Sequence, residues 1–220
     1  MDTICNSAYI NGVIVSPYYL AYVTEDGQCY KVFVKTMRLS RTEDTVPVIV
    51  PEICLKDTMD DTGRTVSVTG TFQSRNRHAD GKNHLDLFLY ADSFVFGDGE
   101  GDVAMEGAVK DTVKDNNQVI LEGFLCRTPV YRKTSLGRKI TNLLVAVNAP
   151  DPKRPNYIPC IAWGRDAIMA GGMHTGDCVR LEGRIQSREY IKRIQGENGE
   201  EEHRMVAYEV SCKSVQLRTD

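Results

Sequence analysis

The stretch Thr62-Gly-Arg-Thr-Val-Ser-Val-Thr-Gly-Thr-Phe-Gln-Ser-Arg75 recurs later in the chain as Thr175-Gly-Asp-Cys-Val-Arg-Leu-Glu-Gly-Arg-Ile-Gln-Ser-Arg188. Seven positions are identical at a constant offset of 113 residues, and the apolar positions agree in kind. Upstream, Tyr9-Ile-Asn-Gly12 corresponds to Ile120-Leu-Glu-Gly123 at an offset of 111. Similarity at a fixed spacing indicates a repeated structural unit, here of about 100 residues. The sequence therefore predicts a tandem repeat.

The segment between the two copies is rich in glycine and aspartate. It begins with Gly97-Asp-Gly-Glu-Gly-Asp102 and continues as a polar stretch to Asn117. Such a composition is typical of a loop or linker. We therefore predict an N-terminal unit over residues 1–97, a linker over 98–116 and a C-terminal unit over 117–220.

Apolar and polar residues alternate in the second copy, which is the period of a β-strand. Five such segments occur, around residues 119–125, 143–147, 158–163, 179–185 and 205–217. Between the third and fourth, residues 164–171 fit one short helix that ends at two glycines. This order is that of the OB-fold barrel. We predict an all-β protein with two tandem OB-fold five-stranded Greek-key barrels, each with a short helix between strands 3 and 4. In the first copy the third strand is expected at Val46–Val50.

Charge is divided unequally between the two units. Residues 1–116 contain 11 Lys and Arg against 18 Asp and Glu, a net of −7, whereas residues 117–220 contain 16 against 12, a net of +4. The whole-chain charge of −3 hides this difference. An acidic unit joined to a basic one predicts that an anionic ligand binds the second unit.

Several other classes of protein are not expected. No apolar run reaches the ~18 residues that cross a bilayer, and the N-terminus lacks the features of a signal peptide, so a cytoplasmic protein is predicted. The seven cysteines include no Cys-x-x-Cys pair, which favours reduced thiols and predicts no metal or cofactor. The motifs GxxxxGK[ST], GxSxG and HExxH are absent, so the chain is not predicted to be an enzyme.

Three segments of the second copy carry a family resemblance. They are Asn117–Pro129, Tyr157-Ile-Pro-Cys-Ile-Ala-Trp-Gly164 and Gly176–Tyr190. Together they keep the order and spacing of strands in bacterial single-stranded DNA-binding proteins, which this copy resembles over residues 117–217. The resemblance implies an OB-fold that binds single-stranded DNA without catalysis, in replication, recombination or repair. RNA is an alternative ligand, because stacking and phosphate contacts distinguish the two sugars poorly.

Aromatic and basic residues of the second copy fit such a ligand. Tyr157 and Trp163 are six residues apart, so that on a strand they point to the same side. Tyr190 shares the parity of Arg180, Arg184 and Arg188, whereas the opposite parity is apolar. Stacking on aromatic side chains and phosphate contacts are what single strands require. The predicted nucleic-acid-binding residues are Tyr157, Trp163, Tyr190, Arg127, Arg132, Lys133, Arg138, Lys139, Arg154, Arg165, Arg184 and Arg188.

Each of these assignments has a structural alternative. A single tryptophan on a strand is commonly a core residue, and Tyr190 is also compatible with covering the end of a barrel. Arg180 is as well placed to pair with acidic neighbours across the sheet as to face phosphate. The cations around the first hairpin are harder to explain without an anion.

The first copy departs from the family pattern. Within one residue of the repeat offset, Trp163 corresponds to Pro51, Tyr190 to Arg77, and Tyr157 to Thr45 or Asp44. With its acidic charge, this copy is expected to bind DNA poorly and to supply an interface. The chain also ends at Asp220 without the acidic tail typical of the family. The resemblance implies a homodimer with four barrels, and the alternative is an OB-fold protein-interaction or replication-restart module with little affinity for DNA.

Overall fold

The computed structural model describes residues 5–55, 60–79, 81–97, 116–149, 155–196 and 199–218. The first half of the chain contains six strands in this part: β1 (Asn6–Ile14), β2 (Tyr19–Thr24), β3 (Gly27–Met37), β4 (Glu43–Pro51), β5 (Thr65–Ala79) and β6 (Lys82–Phe96). The second half contains β7 (Asn117–Leu125), β8 (Val130–Lys133), β9 (Lys139–Val147), β10 (Asn156–Trp163), α1 (Gly164–Ala170), β11 (Cys178–Gly196) and β12 (Gly199–Leu217). The protein is therefore mostly strand, as the alternating pattern predicts. The predicted linker lies outside the described residues except for its last residue, Asn116.

The same circuit of strand pairing occurs in each half. In the first half β1 pairs with β5, β5 with β6, β6 with β4, β4 with β3, and β3 again with β1. In the second half β7, β11, β12, β10 and β9 follow the same sequence and return to β7. The short strands β2 and β8 are additional, and each forms a hairpin with the strand that follows it. The five-strand prediction omits them because neither strand has a buried residue that would produce an apolar alternation.

The two halves are joined by antiparallel pairing of β1 with β7, which makes one sheet of twelve strands among the described residues. In this register Asn6 lies opposite Leu121 and Ile10 lies opposite Asn117. Because Asn6 corresponds to Asn117 in the repeat, and Ile10 to Leu121, the pairing has the symmetry of a two-fold axis. The repeat in the sequence is thus also a symmetry of the structure.

Side-chain hydrogen bonds connect the halves on one side of this axis. The backbone N–H of Ser187 donates to Asp44 Oδ1 at 2.9 Å, and the N–H of Thr45 donates to Ser187 Oγ at 3.0 Å. Asp44 is fully buried, and Arg38 donates to both of its carboxylate oxygens at 2.6 Å. The buried carboxylate therefore has a cation as well as a backbone donor.

The equivalent residues form the same bonds on the other side of the axis. The N–H of Ser74 donates to Asn156 Oδ1 at 2.8 Å, and the N–H of Tyr157 donates to Ser74 Oγ at 2.8 Å. Here the residue corresponding to Asp44 is Asn156, which carries an amide in place of the carboxylate. The Nδ2 atom of Asn156 is buried without a partner among the described residues. The first half therefore contacts the strand that carries Tyr157.

Glycines retained in both copies occupy positions where strands cross closely. A Cβ atom on Gly70 would overlap the carbonyl oxygen of Tyr90, and one on Gly183 would overlap that of Ser211. Both glycines lie at a shift in the register between the long paired strands. The sequence repeat thus preserves the positions at which the paired strands shift register.

The core is formed by the apolar faces of the strands in both halves. Its largest fully buried members are Phe72, Ile10, Ile14, Leu89, Leu121, Leu125, Leu143, Ile158, Leu181, Ile185, Val32 and Val34. Helix α1 follows β10, and Thr141 fixes it by donating to the carbonyl of Ala167 at 2.5 Å. In the first half a three-residue 3-10 helix, Glu52–Cys54, follows the corresponding strand, and residues 56–59 are not described. Within the described residues, no helix has the length and apolar character that crossing a membrane requires.

Candidate nucleic-acid interface

The outer side of β10 exposes two aromatic rings. Along this strand Ile158, Cys160 and Ala162 point into the core, whereas Tyr157 and Trp163 are 39% and 37% exposed. This is the face-sharing expected from their six-residue separation. Trp163 is therefore a partly exposed surface residue and not part of the core.

Trp163 is held by its polar edge. Its indole Nε1 donates to Ser211 Oγ at 3.0 Å, on the neighbouring strand β12. Ser211 is itself buried. A tryptophan N–H that has a partner fixes the plane of the ring and leaves the ring face for contact with a ligand.

The register places Trp163 in a row of residues that crosses the sheet. Arg132 of β8 lies opposite Ile140 of β9, which in turn lies opposite Trp163 of β10. Residues directly opposite one another point to the same face, and neighbouring strands are about 4.8 Å apart. The Cα atom of Arg132 is thus on the order of 10 Å from that of Trp163. A base on the indole would have a cation within reach of its phosphate.

On the far side of Trp163 the register places Ser211 opposite Ile161, and Ser211 joins the row through its hydrogen bond to the indole. Ser211 lies opposite Arg184 of β11, and their neighbours Ile185 and Val210 are fully buried. Arg184 and Ser211 therefore belong to the outer face, and Arg184 is half-buried there. We name the residues Arg132, Ile140, Trp163, Ser211 and Arg184 the cross-strand row.

Tyr190 lies further along the outer face of β11. It pairs with Met205 and is 37% exposed. The guanidinium of Arg188 lies 5.9 Å from the centre of its ring, at the limit of a cation–π contact. A stacking surface and a cation are therefore adjacent on this strand as well.

Cations surround the hairpin of β8 and β9. Arg127, Arg132, Lys133 and Arg138 are exposed and Lys139 is half-buried. In the part of the chain that is described, none of the five belongs to an ion pair. Neighbouring positive charges without acidic partners create a surface to which an anion is attracted. The hairpin therefore fits the phosphate-binding role that the sequence suggests for it.

The remaining arginines differ in their surroundings. Arg165 is exposed on α1, and Arg154 lies outside the described residues. Arg180 contacts Glu122 at 3.4 Å and Glu182 at 3.5 Å. Of the two interpretations that the sequence left open for Arg180, the ion pair is the one found.

The first half presents a different set of side chains on the same face. Cys29, Ile49 and Phe88 form a small apolar cluster there, against which Tyr22 and Tyr90 pack. Sequence reasoning missed this cluster, because it aligned the first half with the positions of Trp163 and Tyr157. A signal was present in the alternation Phe88–Tyr90, which places two rings on one side of a strand.

The fold and this interface define an all-β protein of the OB-fold type with aromatic and basic residues on one outer face. Residues 116–217 match the model of the single-strand binding protein family. This confirms for the second half the resemblance predicted from its sequence.

Individual proteins agree with that match. The single-stranded DNA-binding protein of Halalkalibacterium halodurans is 32% identical over an alignment of 107 residues, with 46% of this chain and 60% of the relative covered. That of Oceanobacillus iheyensis is 34% identical over the same length, with 46% and 62% covered. The chain thus spans about three fifths of the length of these curated relatives.

Solved structures extend the likeness to both halves. The wild-type single-stranded DNA binding protein from Thermus aquaticus superposes with a TM-score of 0.69 at 20% identity, covering 99% of this chain and 95% of that one. A deletion mutant of the same Thermus aquaticus protein gives a TM-score of 0.68, also at 20% identity, with 100% and 97% covered. At this identity the likeness is one of fold.

Proposed function

We propose that this protein binds single-stranded DNA on the outer face of its second half, without catalysing a reaction. The observation that carries the proposal is the cross-strand row, in which one anchored and partly exposed tryptophan lies between two arginines. Tyr157, Tyr190 and the cations of the β8–β9 hairpin extend this surface in both directions. The similarity to proteins named for single-stranded DNA binding supports the same ligand.

The architecture that we propose is a pair of OB-fold barrels. The support is the circuit of pairings in each half, which returns to its first strand and therefore leaves no open edge within the circuit. The position of α1 between β10 and β11 also fits the OB-fold. In this arrangement β8 is an extra hairpin strand, and it carries cations to the rim of the binding face.

The forces expected at this surface are stacking and phosphate contact. Each stacked base contributes on the order of 1–3 kcal/mol and tolerates any sequence. The net charge of +4 in residues 117–220 favours the approach of a polyanion, whereas that of −7 in residues 1–116 opposes it. The second half is therefore proposed as the main site of affinity. A role in replication, recombination or repair follows from the ligand.

The decisive experiment is the fluorescence of Trp163, the single tryptophan of the chain, during titration with oligothymidylate at low and high salt. We expect quenching and an affinity whose logarithm falls with the logarithm of salt concentration by about 0.7 per phosphate contact. Oligouridylate titrated in parallel compares RNA with DNA. Unchanged fluorescence together with an unshifted band on a native gel would contradict the proposal and favour an interaction module instead.

A second copy of the chain is the partner that we propose in solution. Two copies would bring four barrels together, which is the arrangement implied by the family resemblance. Light scattering after size-exclusion chromatography measures the mass directly, and twice the chain mass of 24.6 kDa is expected. A mass of one chain at micromolar concentration would contradict this part of the proposal.

A further inference from the structure

A pocket of about 450 Å³ opens on the outer face of the first half. We name it the first-half pocket. Its lining includes Tyr22, Lys31, Ile49, Arg75, Asp86 and Phe88. The volume falls within the range of ligand pockets, roughly 300–1,000 Å³. It is therefore large enough for one nucleotide.

The pocket adjoins the position that corresponds to the cross-strand row, and Tyr22 belongs to both. Tyr22 lies opposite Cys29, and Cys29 lies opposite Pro51. By the strand circuit, Tyr22 takes the place of Arg132 and Pro51 takes that of Trp163. In the first half the aromatic residue therefore lies on β2, at the position equivalent to Arg132, and not on β4 at the position equivalent to Trp163. It lies on the same face of the sheet.

The floor of the pocket is apolar and buried. Ile49 and Phe88 are 4% and 8% exposed and pack with Cys29 into the small cluster. Tyr22 and Tyr90 pack against this cluster from its edge. An apolar floor that includes the Phe88 ring, with the Tyr22 ring in the same lining, offers the flat faces that a nucleobase contacts when it stacks.

The rim of the pocket is basic. The guanidinium of Arg75 lies 4.8 Å from the centre of the Tyr22 ring, and Lys31 lines the same pocket. Asp86, the acidic residue of the lining, is bonded to Arg77 at 2.8 Å. Burial raises the pKa of the Tyr22 hydroxyl to about 12, further above physiological pH than its ordinary value, and the neutral hydroxyl does not repel an anion. The local charge is therefore opposite in sign to that of the half as a whole.

An apolar floor with a cationic rim matches a ligand that is flat and apolar at one end and anionic at the other. We propose that the first-half pocket accepts one base and its phosphate from the same single strand that the second half binds. This inference rests on the proposed function, and it assigns the first half a direct share of the ligand. Tyr22 and Arg75 act as a stacking pair in this site, and Lys31 contacts the phosphate.

The test uses the full chain and two lengths of fluorescently labelled oligothymidylate. A short one of about eight nucleotides lies within the range of a single OB-fold, and one of about 40 exceeds two such folds of up to ~16 each. The variant Tyr22→Leu/Arg75→Gln removes the stacking pair and leaves the second half unchanged. The matched control is Arg64→Gln, which removes an arginine that lies 3.8 Å from the ring centre of Phe96 but does not line the pocket.

We expect the double variant to lose about fivefold or more in affinity for the long oligonucleotide, measured by anisotropy. Its quenching of Trp163 by the short oligonucleotide should equal that of the unmodified chain, and Arg64→Gln should match that chain in both assays. Equal long-strand affinity in all three proteins, with Trp163 still quenched, overturns this inference and leaves the proposed function intact. Absence of binding by the unmodified chain overturns both. Arg75→Glu changes a single exposed side chain, and it decides the question in the same way if the double variant does not fold.

Discussion

The two halves of this molecule share one strand circuit but differ in what they place on its outer face. Gly70 and Gly183 mark equivalent bends, and Ser74 and Ser187 make equivalent bonds across the axis. On the outer face, by contrast, the second half has an anchored tryptophan between arginines and the first half has a walled pocket. The contacts between paired strands and between the halves are therefore equivalent in both halves, while the side chains of the outer face differ.

The buried contacts between the halves show a second difference, in charge. Asp44 and Asn156 accept equivalent backbone hydrogen bonds, but the carboxylate also accepts from Arg38, whereas among the described residues the amide has no hydrogen bond to a cation. A buried carboxylate without a partner is costly, whereas a buried amide is less so. The first half thus requires Arg38 beside its buried carboxylate, whereas the second half needs no equivalent cation.

The largest effect is expected from removing that residue. Arg38→Met leaves Asp44 buried without its cation, and we expect the free energy of unfolding to fall by about 3–5 kcal/mol. Urea unfolding measures it. Lys35→Met is the control, because Lys35 pairs with Glu43 at the surface, where the loss should stay below about 1 kcal/mol. Similar losses in Arg38→Met and Lys35→Met would contradict the prediction, because the buried ion pair would then contribute no more than the exposed one.

The next largest effect concerns the aromatic position in which the halves differ. Trp163→Leu should weaken binding of labelled oligothymidylate by about 1–3 kcal/mol, because one stacked base loses its ring. Pro51→Ala changes the corresponding residue of the first half, and its affinity should remain within about twofold of the unmodified chain. The prediction fails if Trp163→Leu binds oligothymidylate as tightly as Pro51→Ala does.

The cations of the second half allow a finer comparison, through salt dependence. Arg132→Ala/Lys133→Ala should reduce the log–log salt slope of binding by about 1.4 in magnitude, or about 0.7 for each lost phosphate contact. Arg180→Ala should leave the slope unchanged, since Arg180 already pairs with Glu122 and Glu182. A slope altered by Arg180→Ala would reassign that residue to the binding surface.

The smallest effect separates the two equivalent serines. Ser74→Ala and Ser187→Ala each remove one hydrogen bond between the halves, and each should lower the free energy of unfolding by about 1 kcal/mol. Ser74 Oγ holds the N–H of Tyr157, whereas Ser187 Oγ holds that of Thr45. We therefore expect Ser74→Ala alone to weaken DNA binding, by about twofold. Equal affinities would indicate that the position of Tyr157 does not depend on the first half.

Much of the fold follows from the sequence because single residues and short patterns reflect local structural constraints. Gly70 and Gly183 are retained where strands cross, and the alternation around Val179, Leu181 and Ile185 identifies a buried face that the structure contains. Pairing of β1 with β7 is different, since it depends on contacts between strands more than 100 residues apart in the chain. Neither strand contains a local signal for that partner.

The candidate interface was predictable in part because the spacing of residues along a strand determines which side chains share a face. The spacing of Tyr157 and Trp163 indicates that they share a face, and family resemblance indicates which face. The first-half pocket escaped prediction because Tyr22 follows an irregularity in strand register, where the two-residue period is interrupted. The ion pairs of Arg180 could not be chosen over phosphate contact without the positions of its neighbours.

The pairing of β1 with β7 has a consequence for how this molecule can vary. When two identical chains meet across a two-fold axis, every substitution appears twice, and a change must suit both copies at once. Here the equivalent surfaces are encoded separately within one chain, so each can mutate alone. Asp44 with Arg38 on one side, and Asn156 on the other, is a combination that two identical subunits could never hold.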